Sequence, residues 1–208
     1  PNARRALAFA AANFYGNPQR RMKLVGVTGT NGKTSTAYML KTIFSHGGYK
    51  TALLGTAKGS IGDAAYTPPL DAAEADEYET MTTPDPEVLY RTLADLAARG
   101  VEVTVMEASS HALALDKLAP IEFALGIFTN LSHDHLDFHG SMENYLAAKA
   151  KLFDSCRVGL FNTDDAAGRT LLQNAKCRAV SYGLTPPCDY LAEEIESYGV
   201  RGSSYLLH

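Results

Sequence analysis

The apolar positions of this chain fall into short runs separated by stretches of helical period. Leu24-Val-Gly-Val27 is a continuous apolar run of strand length. Thr51-Ala-Leu-Leu-Gly-Thr56, Val101-Glu-Val-Thr-Val-Met106, Phe123-Ala-Leu-Gly-Ile-Phe-Thr129, Val158-Gly-Leu-Phe161 and residues 178–182 read the same way. Between them lie amphipathic segments. Ala3 to Phe14 predicts a helix broken by Gly16-Asn17-Pro18, and Thr34 to Phe44 predicts a second. A third has Asp85 as N-cap and Pro86 as its first residue, a buried stripe of Val88, Leu89, Leu93, Leu96 and Ala97, and a stop at Gly100. Ser141 to Asp154 and residues 164–174 complete the helices. Residues 58–80 show no period and predict a long surface excursion. Asp189 to His208 holds two strand-like runs with no helix between, an antiparallel edge hairpin. Strands alternating with helices predict an α/β fold, a mostly parallel sheet flanked by helices on both faces, in one domain. Such sheets bind ligands at the C-terminal ends of their strands.

Composition narrows the class. The 208 residues are 46% hydrophobic and 20% charged, which is ordinary globular material. A net charge of −4 without a basic stripe argues against a nucleic-acid surface. No apolar run reaches membrane-span length and no secretory pattern opens the chain, so a cytoplasmic protein is expected. Cys156, Cys177 and Cys188 are widely spaced and predict free thiols.

The polar clusters sit where the strands end. Gly26-Val-Thr-Gly-Thr-Asn-Gly-Lys-Thr-Ser35 follows one strand and opens a helix, the layout of a P-loop phosphate cradle. Backbone N–H groups of Gly29, Thr30, Asn31, Gly32 and Ser35 surround an anion, Lys33 neutralises it, and the Thr34 hydroxyl suits Mg²⁺. The usual spacing places glycine at position 27, where this chain has Val27. Glu107 follows another strand and can hold Mg²⁺ beside a nucleotide. His133-Asp-His-Leu-Asp-Phe-His139 concentrates metal- or phosphate-binding side chains. Lys149 lies on the apolar stripe of its helix with Tyr145 and Leu152, whereas Lys151 points to solvent. An inward lysine has a depressed pKa and could take up CO₂ as a carbamate, but helical phase alone favours a side chain that snorkels to water.

Taken in order, these stretches resemble the ATP-binding central domain of the Mur ligases. Phe14-Tyr-Gly-Asn-Pro18, Gly26 to Ser35, Thr82-Thr-Pro-Asp-Pro86, Met106-Glu-Ala-Ser-Ser-His-Ala-Leu113, Phe128-Thr-Asn-Leu131, Asp134 to His139, Ala147-Ala-Lys149 and Asn162-Thr-Asp-Asp165 carry the resemblance. It is nearest to the branch that adds the third residue to a UDP-N-acetylmuramoyl dipeptide. The resemblance implies ATP and Mg²⁺ as cofactors, with Lys33 on the phosphates and Thr34 and Glu107 on one Mg²⁺. It implies His135 and a carbamylated Lys149 at a second Mg²⁺, and Asn162 among the nucleotide contacts. Thr82, Thr83, Ser109 and Lys117 would bind the muramoyl dipeptide, with an amino acid as the second substrate. The implied reaction forms an acyl phosphate, which the amine of that amino acid converts to an amide.

On this resemblance, residues 1–21 are the tail of an N-terminal UDP-binding domain with its linker. Residues 22–208 are the central domain, truncated at its far end, and the C-terminal ligase domain is absent. The isolated piece is then expected to bind ATP weakly, to turn nothing over and to be a monomer. Family members often carry Gln and Arg where this chain has Leu115 and Lys117, so contacts there differ; Lys117 keeps the charge without the bidentate fork. Folate polyglutamate synthetase-like ligases share the cradle but typically carry Gly-Lys-Gly-Ser where this chain has Gly32-Lys-Thr-Ser35. Another P-loop NTPase and a metallohydrolase built on His133 to His139 are the remaining alternatives, the latter disfavoured because Phe138 separates Asp137 from His139.

Overall fold

A computed structural model describes residues 2–56 and 59–208; Pro1, Ala57 and Lys58 lie outside it. The chain runs α1 (Ala3–Phe14), β1 (Lys23–Thr28), α2 (Lys33–His46), β2 (Thr51–Leu54), β3 (Ser60–Ile61), β4 (Ala64–Ala65), α3 (Ala72–Thr80), α4 (Pro86–Ala98), β5 (Val103–Glu107) and α5 (Ser110–Ala114). It continues through β6 (Phe123–Phe128), α6 (Leu136–His139), α7 (Met142–Asp154), β7 (Cys156–Asn162), α8 (Ala166–Asn174), β8 (Arg178–Gly183), β9 (Tyr190–Ser197) and β10 (Ser203–Leu207). Among the described residues ten strands form one sheet in the order β10-β9-β8-β7-β6-β1-β5-β2-β3-β4. The central strands are parallel, while β2–β3, β3–β4 and β9–β10 are antiparallel. No described helix is long and apolar enough to cross a membrane.

Alternation along β1 splits the core. Leu24 joins Leu89, Leu93, Met106, Phe123, Phe128 and Leu152 on one face, beneath α1, α4, α5, α7 and α8. Val25 and Val27 join Leu53, Val103, Val105 and Ile127 on the other, beneath Ala37, Leu40 and Phe44 of α2. Helices cover both faces as expected, but unequally. Each fully buried Leu or Phe contributes about 1.5–3 kcal/mol, so the larger cluster carries most of the apolar stabilisation.

One segment departs from the pattern-based expectation. The excursion over residues 58–80 contains β3, β4 and α3 rather than loop alone. Helix α3 is too polar for a periodic stripe, yet it starts with a capping box: Asp71 Oδ1 accepts from Glu74 N at 3.0 Å and Glu74 Oε2 accepts from Asp71 N at 3.1 Å. Glu74 pairs with Arg91, and buried Tyr66 donates to Asp95 Oδ2 at 2.8 Å, which fastens the excursion to α4. Helix α1 buries Ala8, Ala11 and Ala12 in the main core against α4. Asp85 does occupy the N-cap position of α4, in an extended conformation.

Gly168 in α8 faces the Asn162 carbonyl so closely that a Cβ would overlap its oxygen. Helix propensity predicts that Gly168→Ala stabilises by about 1 kcal/mol. The steric contact predicts the reverse, a loss of about 1–3 kcal/mol. Thermal melting decides between the signs, and a raised melting temperature would contradict the packing described.

Candidate functional site

Register brings the functional loops to one edge. Val27 pairs with Glu107, Thr28 with Phe128, and Phe128 with Phe161, so β1, β5, β6 and β7 end together. Strand β1 runs on to Thr28 and the turn begins at Gly29; Val27 is a buried core residue under α2, which explains why glycine is not needed there. Gly29 has φ +149, and a Cβ on it would overlap Thr129 Oγ1. The loop is knitted to the one after β6. Thr30 N donates to Asn130 O (2.9 Å), Asn31 N to Asn130 Oδ1 (3.0 Å), and Thr129 Oγ1 to Asn31 O (2.7 Å). Gly32, at φ +82, caps α2, whose first turn presents Lys33, Thr34 and the exposed Ser35.

Two lysines meet on one carbonyl. Lys33 Nζ donates to Gly29 O and Thr30 O, each at 3.0 Å, and Lys149 Nζ donates to Gly29 O at 2.8 Å. Lys149 is 1% exposed and does not snorkel; its ammonium lies 4.3 Å from the Tyr145 ring centroid. Burial, reinforced by the charge of Lys33, lowers its pKa to about 7, with Asp134 opposing the shift. Burial also lowers that of Lys33, against the pull of Glu107 and Asp134.

Glu107 is 2% exposed at the end of β5. Its Oε1 accepts from Thr34 Oγ1 (3.0 Å) and Thr56 N (3.0 Å), and its Oε2 from Thr56 Oγ1 (3.3 Å). Thr34 and Glu107 thus set a hydroxyl and a carboxylate together at the mouth of the phosphate loop, an oxygen donor set suited to Mg²⁺. Lys149 as an amine is a donor to Gly29 and becomes an oxygen ligand only if carbamylated.

A cavity of about 360 Å³ joins the two halves of the site. Lys33, Lys149 and His135 line it together with Thr82, Thr83, Ser109 and Lys117. Several of these groups are already engaged. Thr83 donates to Glu107 O (2.9 Å) and accepts from Ser109 N (3.2 Å), so it braces β5 against the start of α5. Ser109 Oγ caps α5 by accepting from Ala112 N at 3.2 Å, which leaves its proton for a ligand. Thr82 Oγ1 lies 3.0 Å from Thr56 Oγ1. Lys117 Nζ meets Asp85 Oδ1 at 2.5 Å, and Leu115 also faces the cavity. Asn162 does not line it: its Nδ2 donates to Thr129 O (2.8 Å) and its Oδ1 accepts from Asp164 N (3.0 Å), so it backs the loop from behind.

The histidine cluster divides. His133 is exposed, whereas His135 sits in the left-handed region (φ +51) and points its ring edge at His111, 5.0 Å between centroids. His139 is buried, with Nε2 3.0 Å from Ser110 Oγ, and burial lowers the pKa of both His111 and His139. Thr56 and the Tyr145 hydroxyl were missed as site groups by sequence reasoning. Thr56 follows β2 at a strand end, the rule that found Glu107 and could have found it. Cys156, Cys177 and Cys188 are free thiols, and burial and Cys177 raise Cys156 to about 12.

Residues 27–207 match the family described as Mur ligase middle domain. Among curated relatives, the UDP-N-acetylmuramoyl-L-alanyl-D-glutamate--2,6-diaminopimelate ligase of Clostridium tetani is 40% identical over 98% of this chain and 40% of its own length. That of Bacteroides fragilis is 42% identical over 93% of this chain and 38% of its own. The chain thus spans about 40% of the length of these relatives. A solved UDP-N-acetylmuramoyl-L-alanyl-D-glutamate--2,6-diaminopimelate ligase superposes with TM-score 0.76 at 31% identity, covering 89% of this chain and 37% of that one. Mycobacterium tuberculosis folylpolyglutamate synthase superposes at 0.75 with 20% identity over 98% of this chain and 51% of that one, a likeness of fold alone. With the cradle, Glu107, Lys149 and the shared cavity on one sheet edge, the chain belongs to the Mur ligase middle-domain family.

Proposed function

We propose that this chain is the ATP-binding part of a ligase that adds the third amino acid, diaminopimelate by its relatives' names, to UDP-N-acetylmuramoyl-L-alanyl-D-glutamate in the cytoplasm. The observation that carries the reading is the cavity itself, where the phosphate-loop Lys33 and the buried Lys149 share a wall with Thr82, Ser109 and Lys117. A carboxylate is a poor acyl donor, so its oxygen attacks the γ-phosphorus of ATP, giving an acyl phosphate and ADP. The incoming amine then attacks the acyl carbon and expels phosphate, losing a proton as the amide forms. Lys33 exchanges the Gly29 and Thr30 carbonyls for phosphate oxygens and balances charge on the transferred group. Lys117 and Ser109 hold the muramoyl substrate. Thr34 and Glu107 would hold one Mg²⁺, and His135 with carbamylated Lys149 would hold a second. Mg²⁺ supplies the charge neutralisation that lets two anionic reactants approach.

The carbamate follows from the chemistry of Lys149. Its neutral amine adds CO₂ and releases a proton, turning a donor into an anionic oxygen ligand. A pKa near 7 makes the free amine abundant at neutral pH, where an ordinary lysine has almost none.

In the full-length protein, stimulation by bicarbonate is expected to grow as pH rises from 6 to 8, since only the deprotonated amine reacts. Lys149→Ala should lower kcat about 10²-fold, of the order of removing one electrostatic stabiliser. Formate or acetate should restore part of it. Unaltered turnover, or no rescue and no bicarbonate dependence, argues against the carbamate. Glu107→Gln is expected to raise the KM for Mg–ATP about tenfold or more, with a smaller change in the KM for the muramoyl substrate. Calorimetry on the full-length protein that detects no Mg²⁺-dependent ATP uptake overturns the ligase reading.

A further inference from the structure

Thr56 has no part in the reading above, yet it touches Glu107 and Thr82 alike. Leu54 of β2 pairs with Met106 of β5, so the chain leaves β2 through Gly55 and Thr56 beside Glu107. Gly55 makes the room: a Cβ there would overlap Glu107 Oε1. Thr56 then engages both carboxylate oxygens. Its N–H donates to Oε1 at 3.0 Å, and its hydroxyl donates to Oε2 at 3.3 Å. Oε1 also accepts from Thr34 Oγ1 at 3.0 Å.

These bonds matter because the last torsion of a glutamate side chain is broad. The plane of its carboxylate is therefore set by the partners of its two oxygens. A single bond to Oε1 would leave that plane free to turn, whereas one bond to each oxygen fixes it. The Thr56 hydroxyl also lies 3.0 Å from Thr82 Oγ1 on the cavity wall. Neighbouring Thr83 is tied to Glu107 as well, but to its backbone carbonyl, at 2.9 Å. That bond sets residues 82–83 against the β5 backbone and leaves the Glu107 side chain unconstrained. Thr56 supplies the missing link, between Thr82 and the carboxylate itself.

We infer that Thr56 is a positioning residue that sets the plane of the Glu107 carboxylate and ties it to Thr82. The carboxylate that would hold Mg²⁺ and the hydroxyl that would meet the muramoyl substrate thereby keep one spacing. The inference rests on the ligase reading and adds a residue which that reading does not use.

The test is calorimetric binding to the full-length protein of Mg–AMPPCP and, separately, of UDP-N-acetylmuramoyl-L-alanyl-D-glutamate. The variants are Thr56→Val, Thr56→Ser, Glu107→Gln and the Thr56→Val/Glu107→Gln double, with thermal melting of each. Valine keeps the shape and the backbone N–H bond and removes only the hydroxyl; serine keeps the hydroxyl. Thr56→Val is expected to weaken Mg–AMPPCP binding about 3–10-fold, the weight of one hydrogen bond behind a metal ligand. It should weaken the muramoyl substrate about 2–3-fold, the weight of one neutral hydrogen bond. Thr56→Ser should stay within about 2-fold of wild type for both ligands, since the hydroxyl remains. The double variant should bind Mg–AMPPCP no more weakly than Glu107→Gln alone, because Thr56 acts through Glu107. Unchanged Mg–AMPPCP affinity in Thr56→Val, an equal loss in Thr56→Ser, or losses that multiply in the double variant overturn the inference, whatever the melting temperatures do. A wild-type protein that takes up no Mg–AMPPCP overturns the ligase reading instead, and the inference with it.

Discussion

The site depends on the Gly29 carbonyl. It accepts from the part-buried Lys33 and from the buried Lys149, at 3.0 and 2.8 Å, so two amines converge on one oxygen. That arrangement is possible only because residue 29 carries no side chain and adopts φ +149, which lets the turn press against Thr129. Burial, and after it the charge of Lys33, lowers the Lys149 amine to about 7. Burial lowers Lys33 as well, opposed by Glu107 and Asp134.

Glu107 plays the complementary part. One buried carboxylate accepts from Thr34 on α2 and from Thr56 beyond β2, while its own backbone carbonyl accepts from Thr83. Four segments far apart in sequence are thereby held at one strand end. A buried anion with three side-chain-directed bonds is stable where a lone one is not. The Thr34 hydroxyl and the Glu107 carboxylate are thereby gathered at one point.

The opposite wall is more idiosyncratic. Lys117 meets Asp85, and Leu115 faces the cavity. A single ammonium offers charge without the fixed fork of a guanidinium, with the hydroxyls of Ser109 and Thr82 on the same cavity.

What the sequence decided by itself is the order of elements and the strand ends at which chemistry gathers. Short apolar runs, the Asp85-Pro86 start and the Gly-rich turn act within a few residues, so local pattern suffices to read them. The same locality explains the misses. Helix α3 is held by a capping box and by ties to α4 rather than by an apolar stripe. Lys149 shows the limit most clearly. Helical phase says that it faces inward, but whether an inward lysine snorkels or stays depends on what waits across the gap. Here that is a carbonyl contributed from 120 residues away, over an aromatic ring one turn back. Asn162 is the converse, a residue at the right strand end whose amide is used behind the loop rather than in the cavity. Partners supplied by distant segments are set by packing and register, and only the folded chain brings them within bonding distance.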